Sequence, residues 1–143
     1  MNSFSFEDLR LGLTESFEVM VTAQMMEDFL RISGDCNPIH LSDGYARSKG
    51  FSDRVVYGLL VSAFYSTLVG VYLPGEHCVL QEISVNFKKP VYIGDRLTVT
   101  GTVVETHDVL RRVSIKAKIR NQNGKAVSTA NITVGVMSSA ELS

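Results

Sequence analysis

Val55-Val56-Tyr57-Gly58-Leu59-Leu60-Val61-Ser62-Ala63-Phe64-Tyr65-Ser66-Thr67-Leu68-Val69-Gly70-Val71-Tyr72-Leu73-Pro74-Gly75 runs from Arg54 to Glu76 without a charged side chain. The run is long enough for a membrane-spanning helix. Its composition argues otherwise, because Tyr57, Gly58, Ser62, Ser66, Thr67 and Gly70 dilute the apolarity and Pro74-Gly75 ends it. No basic cluster flanks one side of it, and the rest of the chain consists of half-apolar strands that need something to pack on. The run therefore reads as one long buried helix of a soluble protein. Leu59, Leu60, Ala63, Phe64 and Leu68 form its most buried side, and Leu73-Pro74-Gly75 closes it.

Upstream of this helix, Glu15 to Val21 alternates as a first strand with Phe17, Val19 and Val21 on one side. Thr22 is a good N-cap for a helix that carries Gln24, Met25, Met26, Phe29, Leu30 and Ile32 at helical spacing. Gly34 stops that helix, and Pro38 disfavours a helical conformation at Asn37, so a loop is expected there. Ser42 caps a second short helix, Asp43 to Ser48.

Downstream the period changes from helical to alternating. Val79, Gln81, Ile83, Val85 and Phe87 alternate with their neighbours until Pro90 interrupts, and Arg96 to Glu105 continues as a second strand after the Gly94-Asp95 turn. Arg112, Ser114, Lys116, Lys118 and Arg120 alternate with Val113, Ile115, Ala117 and Ile119, giving one wet and one dry face. Asn123-Gly124 is a hairpin turn into a last strand, Lys125 to Met137, followed by a frayed tail, Ser138 to Ser143. A helix apolar on most sides must be surrounded, and an antiparallel sheet curling around it does so economically. The pattern points to an α+β, hot-dog-like fold as a single domain over 1–143, its later strands forming a four-stranded antiparallel meander.

At 143 residues, 45% hydrophobic and 20% charged, the chain is large enough to bury a core and is not of disordered composition. A net charge of −1 gives no electrostatic case for nucleic acid. Two cysteines are too few for a disulfide scaffold, and Met1 to Arg10 lacks a signal-peptide pattern, so the cytoplasm is the expected compartment. His77-Cys78 has no zinc-ligand spacing, His107 sits in a hairpin, and neither a phosphate-cradling glycine loop nor a nucleophile elbow is present.

Chemistry concentrates in Ser33-Gly34-Asp35-Cys36-Asn37-Pro38-Ile39-His40. On residue types alone this is a polar turn in which Asp35 and Asn37 cap or make Asx turns. Gly34 and Pro38 stiffen the backbone, however, and an Asp and a His held close can share a water with proton affinities tuned by each other. The stretch, with Tyr45-Ala46, resembles the hydratase-2 motif of the MaoC-like, (R)-specific enoyl-CoA hydratases. The resemblance continues through Val55 to Leu60, Leu73-Pro74-Gly75 and Phe87-Lys88-Lys89-Pro90-Val91-Tyr92-Ile93-Gly94-Asp95, four landmarks in order from about residue 25 to 105.

That resemblance implies a hot-dog dimer at least, with Asp35 and His40 as the catalytic acid/base pair, Asn37 orienting one of them or the water, and Ser66 as a supporting residue. It implies that Gly58 presents its backbone N–H to the thioester carbonyl, which the helix N-terminus favours physically. The implied reaction is reversible hydration of trans-2-enoyl thioesters carried on coenzyme A or an acyl-carrier protein, a hydro-lyase reaction needing no metal or redox cofactor. Lys88 and Lys89 are either an exposed strand end or a contact for the carrier's phosphate. The sequence departs from the family at Tyr57, where histidine is common, and Cys36 reads as filler. Two other readings stay open: a hot-dog acyl-thioester hydrolase, and a non-catalytic acyl-binding domain.

Overall fold

The structure is a computed structural model that describes residues 1–138. Apart from Ser138, the tail expected to fray lies outside the described residues. Strand β1 (Thr14–Met20) leads into helix α1 (Ala23–Ser33), whose first turn is capped by the Thr22 hydroxyl accepting the Met25 N–H at 3.2 Å. Gly34 ends α1 in the left-handed conformation at φ +69°, which a residue with a Cβ adopts only at a cost. The next segment is more helical than its proline suggested. Asn37 caps a one-turn helix α2 (Pro38–Leu41), because a proline at the first helical position gives up an N–H that has no acceptor there anyway. Helix α3 (Asp43–Ser48) follows directly, capped by Ser42 as expected.

The uncharged run is not one long helix. Helix α4 spans Gly58–Thr67 and passes into a π-helical turn, Leu68–Tyr72. Leu60, Val61, Tyr65, Leu68 and Val69 are buried against the sheet. The expected buried side is therefore corrected: Leu59 is 67% exposed and Ala63 is also exposed. A helix that is apolar all round has no hydrophobic direction, so spacing could not choose its inner face. The sheet covers the buried face of α4 and leaves Leu59, Ala63 and Ser66 exposed on the other.

Five antiparallel strands form the sheet in the order β1-β3-β4-β5-β2, where β2 is Cys78–Phe87, β3 Arg96–His107, β4 Arg112–Arg120 and β5 Ala126–Val136. The last three strands form a meander, but β2 does not join it through β3 as expected. It pairs with β5, while β3 pairs with β1. Pro90 has no N–H to continue a ladder, and the β2–β3 connector is held instead on the segment before α4. Val55 bridges Tyr92, and the Val56 N–H donates to the Val91 carbonyl at 2.8 Å. This crossover brings Phe87 to Val91 beside the start of α4.

Strand β4 keeps the predicted alternation, with Val113, Ile115, Ala117 and Ile119 buried and Lys116, Lys118 and Arg120 exposed. These side chains, Leu97, Val99 and Val103 of β3, and Ala130, Ile132 and Val134 of β5 form one core with α4. Each fully buried Leu, Val or Ile contributes about 1.5–3 kcal/mol. Among the described residues no helix is long and apolar enough to cross a membrane.

Candidate active site

Three of the four polar groups of Asp35 are each tied by a different neighbour. Its N–H donates to the Ser33 hydroxyl at 3.1 Å, its carbonyl accepts from the Tyr57 hydroxyl at 2.7 Å, and its Oδ1 accepts the Asn37 N–H at 3.1 Å. This leaves Oδ2 turned toward His40, 3.9 Å from Nε2. His40 is fixed as tightly: its N–H donates to the Asn37 carbonyl at 3.0 Å and its Nδ1 lies 2.7 Å from the Val55 carbonyl. A carbonyl only accepts, so Nδ1 carries a proton, and the neutral ring has its lone pair on Nε2. At 3.9 Å the two atoms are too far apart for a direct hydrogen bond but near enough to share one water. The imidazole is largely sheltered and the carboxylate half exposed, at 16% and 48% side-chain exposure.

Asn37 acts through the backbone. Its side chain accepts the Ile39 N–H at 3.1 Å to start α2, while its own N–H and carbonyl hold Asp35 and His40. The side-chain oxygen of Asn37 is thus taken up by the cap, and its contacts to Asp35 and His40 run through its main chain.

A cavity of about 320 Å³ opens beside His40, lined also by Gly58, Val61, Phe87, Lys88, Lys89 and Ser128. Gly58 begins α4, so its N–H belongs to the first turn, where N–H groups lack intrahelical acceptors and the helix dipole favours negative charge. A side chain there would be crowded: a Cβ on Gly58 would lie 2.9 Å from Cε1 of Phe87, whose ring would have to move. Ser66 is not brought to the cavity. It lies on the exposed side of α4, along the same stripe as Gly58 and Ser62. Exposed Cys36 and half-buried Cys78 are both free thiols, and burial pushes the Cys78 thiol up to about 11.

The family model described as "MaoC like domain" matches residues 12–125. The chain belongs to the MaoC-like domain family. It is 37% identical over 110 residues to a 3-hydroxybutyryl-CoA dehydratase of Methylorubrum extorquens, covering 77% of this chain and 70% of that one. It is 28% identical over 130 residues to the (R)-specific enoyl-CoA hydratase of Aeromonas caviae, covering 91% of this chain and 97% of the other. Among solved structures it resembles the R-hydratase PhaJ1 of Pseudomonas aeruginosa in its unliganded form. There the TM-score is 0.88 and the identity 28%, covering 94% of this chain and 86% of that one.

Two contributors to this MaoC-like site had escaped the sequence. Ser128 lines the cavity, is 1% exposed, and accepts the Tyr65 hydroxyl at 2.8 Å. Burial pushes the Tyr65 phenol up to about 12, keeping it a neutral donor. The available signal was phase: Ser128 is the polar residue in the inward series Ser128, Ala130, Ile132, Val134 of β5. The second contributor is Phe87, a family landmark in sequence and in structure the neighbour of Gly58.

Proposed function

We propose that this chain is an (R)-specific enoyl-thioester hydratase/dehydratase in which Asp35 and His40 carry the proton transfers. The reading rests on one observation above others, the facing of Asp35 Oδ2 and His40 Nε2 across 3.9 Å, with His40 and Gly58 lining one cavity and Asp35 outside its wall. Similarity to an (R)-specific hydratase and a hydroxyacyl dehydratase supports the reaction class. Water held between the two side chains loses a proton to the pair as its oxygen attacks the β-carbon of the enoyl thioester. The double-bond electrons move to the thioester oxygen, the Gly58 N–H stabilises the enolate, and the pair returns a proton to the α-carbon on the same face. The two groups share this work as a coupled pair. Positioned acid–base catalysis is worth ~10²–10⁴-fold and one oxyanion donor ~3–4 kcal/mol. The overall change adds the elements of water, with no electron transfer, so the chemistry calls for no metal or redox cofactor.

Lys88 and Lys89 line the same cavity, where their charge suits the phosphates of coenzyme A or a carrier-protein arm. We assign the functional unit to a homodimer built on β2. At the opposite edge, β1 exposes Thr14, Ser16, Glu18 and a single apolar side chain, Met20, whereas β2 exposes Val79, Leu80, Ile83 and Phe87. Ser66 would act from the open face of α4 within that assembly, and the cytoplasm suits a chain with two free thiols.

Purified enzyme should hydrate crotonyl-CoA, seen as loss of its conjugated absorbance, and Asp35→Asn and His40→Ala should each remove the activity. Full activity in both variants would overturn the mechanism. Release of free coenzyme A thiol would point to a hydrolase, and tight binding without turnover to an acyl-binding domain.

A further inference from the structure

Tyr57 contacts both members of the pair and precedes the third element of the site. Its ring stacks on the His40 imidazole, with centroids 4.1 Å apart and planes 29° from parallel. Its hydroxyl donates to the Asp35 carbonyl at 2.7 Å. On the other side Phe29 of α1 packs against the ring, with centroids 4.8 Å apart. The next residue in the chain is Gly58, and Tyr57 is the N-cap residue of α4. The side chain is 2% exposed, and burial, followed by the nearby Asp35 charge, raises its phenol above the ordinary value, so it stays a neutral donor.

We propose that Tyr57 is the positioning residue of this site: its ring sets the plane of His40, its hydroxyl sets the backbone of Asp35, and its peptide sets Gly58. This rests on the assignment of Asp35 and His40 as the reacting pair. The reasoning is geometric. A separation of 3.9 Å between Oδ2 and Nε2 suits a shared water, and a shift of a few tenths of an ångström at either end changes which atom the water can reach. The Nδ1 bond to Val55 anchors one edge of the imidazole, and the Tyr57 face, stacked on the ring, defines its plane. Asp35 follows the C-cap of α1 at Gly34, and the Tyr57 hydroxyl is what fastens its carbonyl.

Two variants separate the two contacts. Tyr57→Phe keeps the stack and removes the hydroxyl; it should lower kcat for crotonyl-CoA about tenfold while KM stays within about twofold. Tyr57→Leu removes both and should cost kcat about 10²-fold. The second readout needs no turnover. In a ¹³C-histidine-labelled protein, the His40 ring protons, assigned by their loss in His40→Ala, should keep their shielded position in Tyr57→Phe. In Tyr57→Leu they should move downfield as the ring current disappears. Wild-type kcat in Tyr57→Phe, or a change confined to KM or to melting temperature, would overturn the proposal. So would an unmoved His40 resonance in Tyr57→Leu. Should the wild-type enzyme show no hydration at all, the functional reading fails, while the resonances still report whether Tyr57 positions His40.

Discussion

The His40 Nδ1 atom lies 2.7 Å from the Val55 carbonyl, and the Val55 N–H in turn donates to the Ile39 carbonyl at 3.0 Å. The loop that carries Asp35 and His40 and the strand-like segment before α4 are thereby stitched together twice through one residue. The imidazole is held through Nδ1, and the other nitrogen is presented to Asp35.

This tie separates stability from activity at one position. His40→Asn places an amide N–H where Nδ1 was, so its melting temperature should stay close to wild type while activity falls ~10²–10⁴-fold. His40→Ala loses the tie as well and should be destabilised by about 1 kcal/mol more. Thermal denaturation of the two variants side by side checks the difference.

Gly58 and Phe87 make a second prediction. Gly58→Ala puts a methyl group 2.9 Å from the Phe87 ring, which must swing away and reshape the cavity. Activity should fall about tenfold, and adding Phe87→Ala should recover part of it, because the clash is removed. A double variant no better than Gly58→Ala alone would mean that the methyl interferes with the substrate directly.

The apolar β2 edge predicts self-association. Ile83, 38% exposed on that edge, is a suitable site for a charge. Ile83→Asp should shift the sedimentation profile from dimer to monomer at micromolar concentration, and specific activity should fall together with the dimer. A monomeric wild type would remove this prediction.

Tyr65 gives a pH dependence with a definite sign. Its phenol is raised from 10.0 to about 12 by burial. The unfolded chain therefore loses this proton first as pH rises, and folded-state stability, unaffected below pH 10, declines between about 10 and 12. The slope from this group approaches about 1.4 kcal/mol per pH unit. Tyr65→Phe should be about 1 kcal/mol less stable at pH 7, having lost the bond to Ser128, yet decline less steeply in alkali. Urea denaturation across pH 7–12 measures both effects.

Much of this was legible in the sequence because the signals were local. Thr22 and Gly34 bounded α1, the alternation of Arg112 to Arg120 gave β4, and the motif from Ser33 to His40 placed the pair. The pairing of β2 with β5 was not legible, since strand partnership over such separations leaves no local trace and a meander is the simpler default. Nor could spacing say that Leu68–Tyr72 is a π turn, because the same apolar residues suit either hydrogen-bond ladder. The role of Asn37 was hidden for a different reason. Asn-Pro reads equally as a loop or as cap and first residue of a helix, and only the Ile39 N–H on its side chain decides. Tyr57 was visible as a departure from its family, but not as the residue touching both Asp35 and His40.

The contact between Phe87 and Gly58 bears on how such an enzyme can diversify. The strand with the more apolar outer edge also carries the ring that packs beside the helix start. A substitution on β2 selected for a new assembly is then felt in the pocket, and one selected for a new acyl group is felt at the edge. In the proposed homodimer, quaternary structure and substrate range would be inherited as one linked trait, and a lineage exploring either would have to move both.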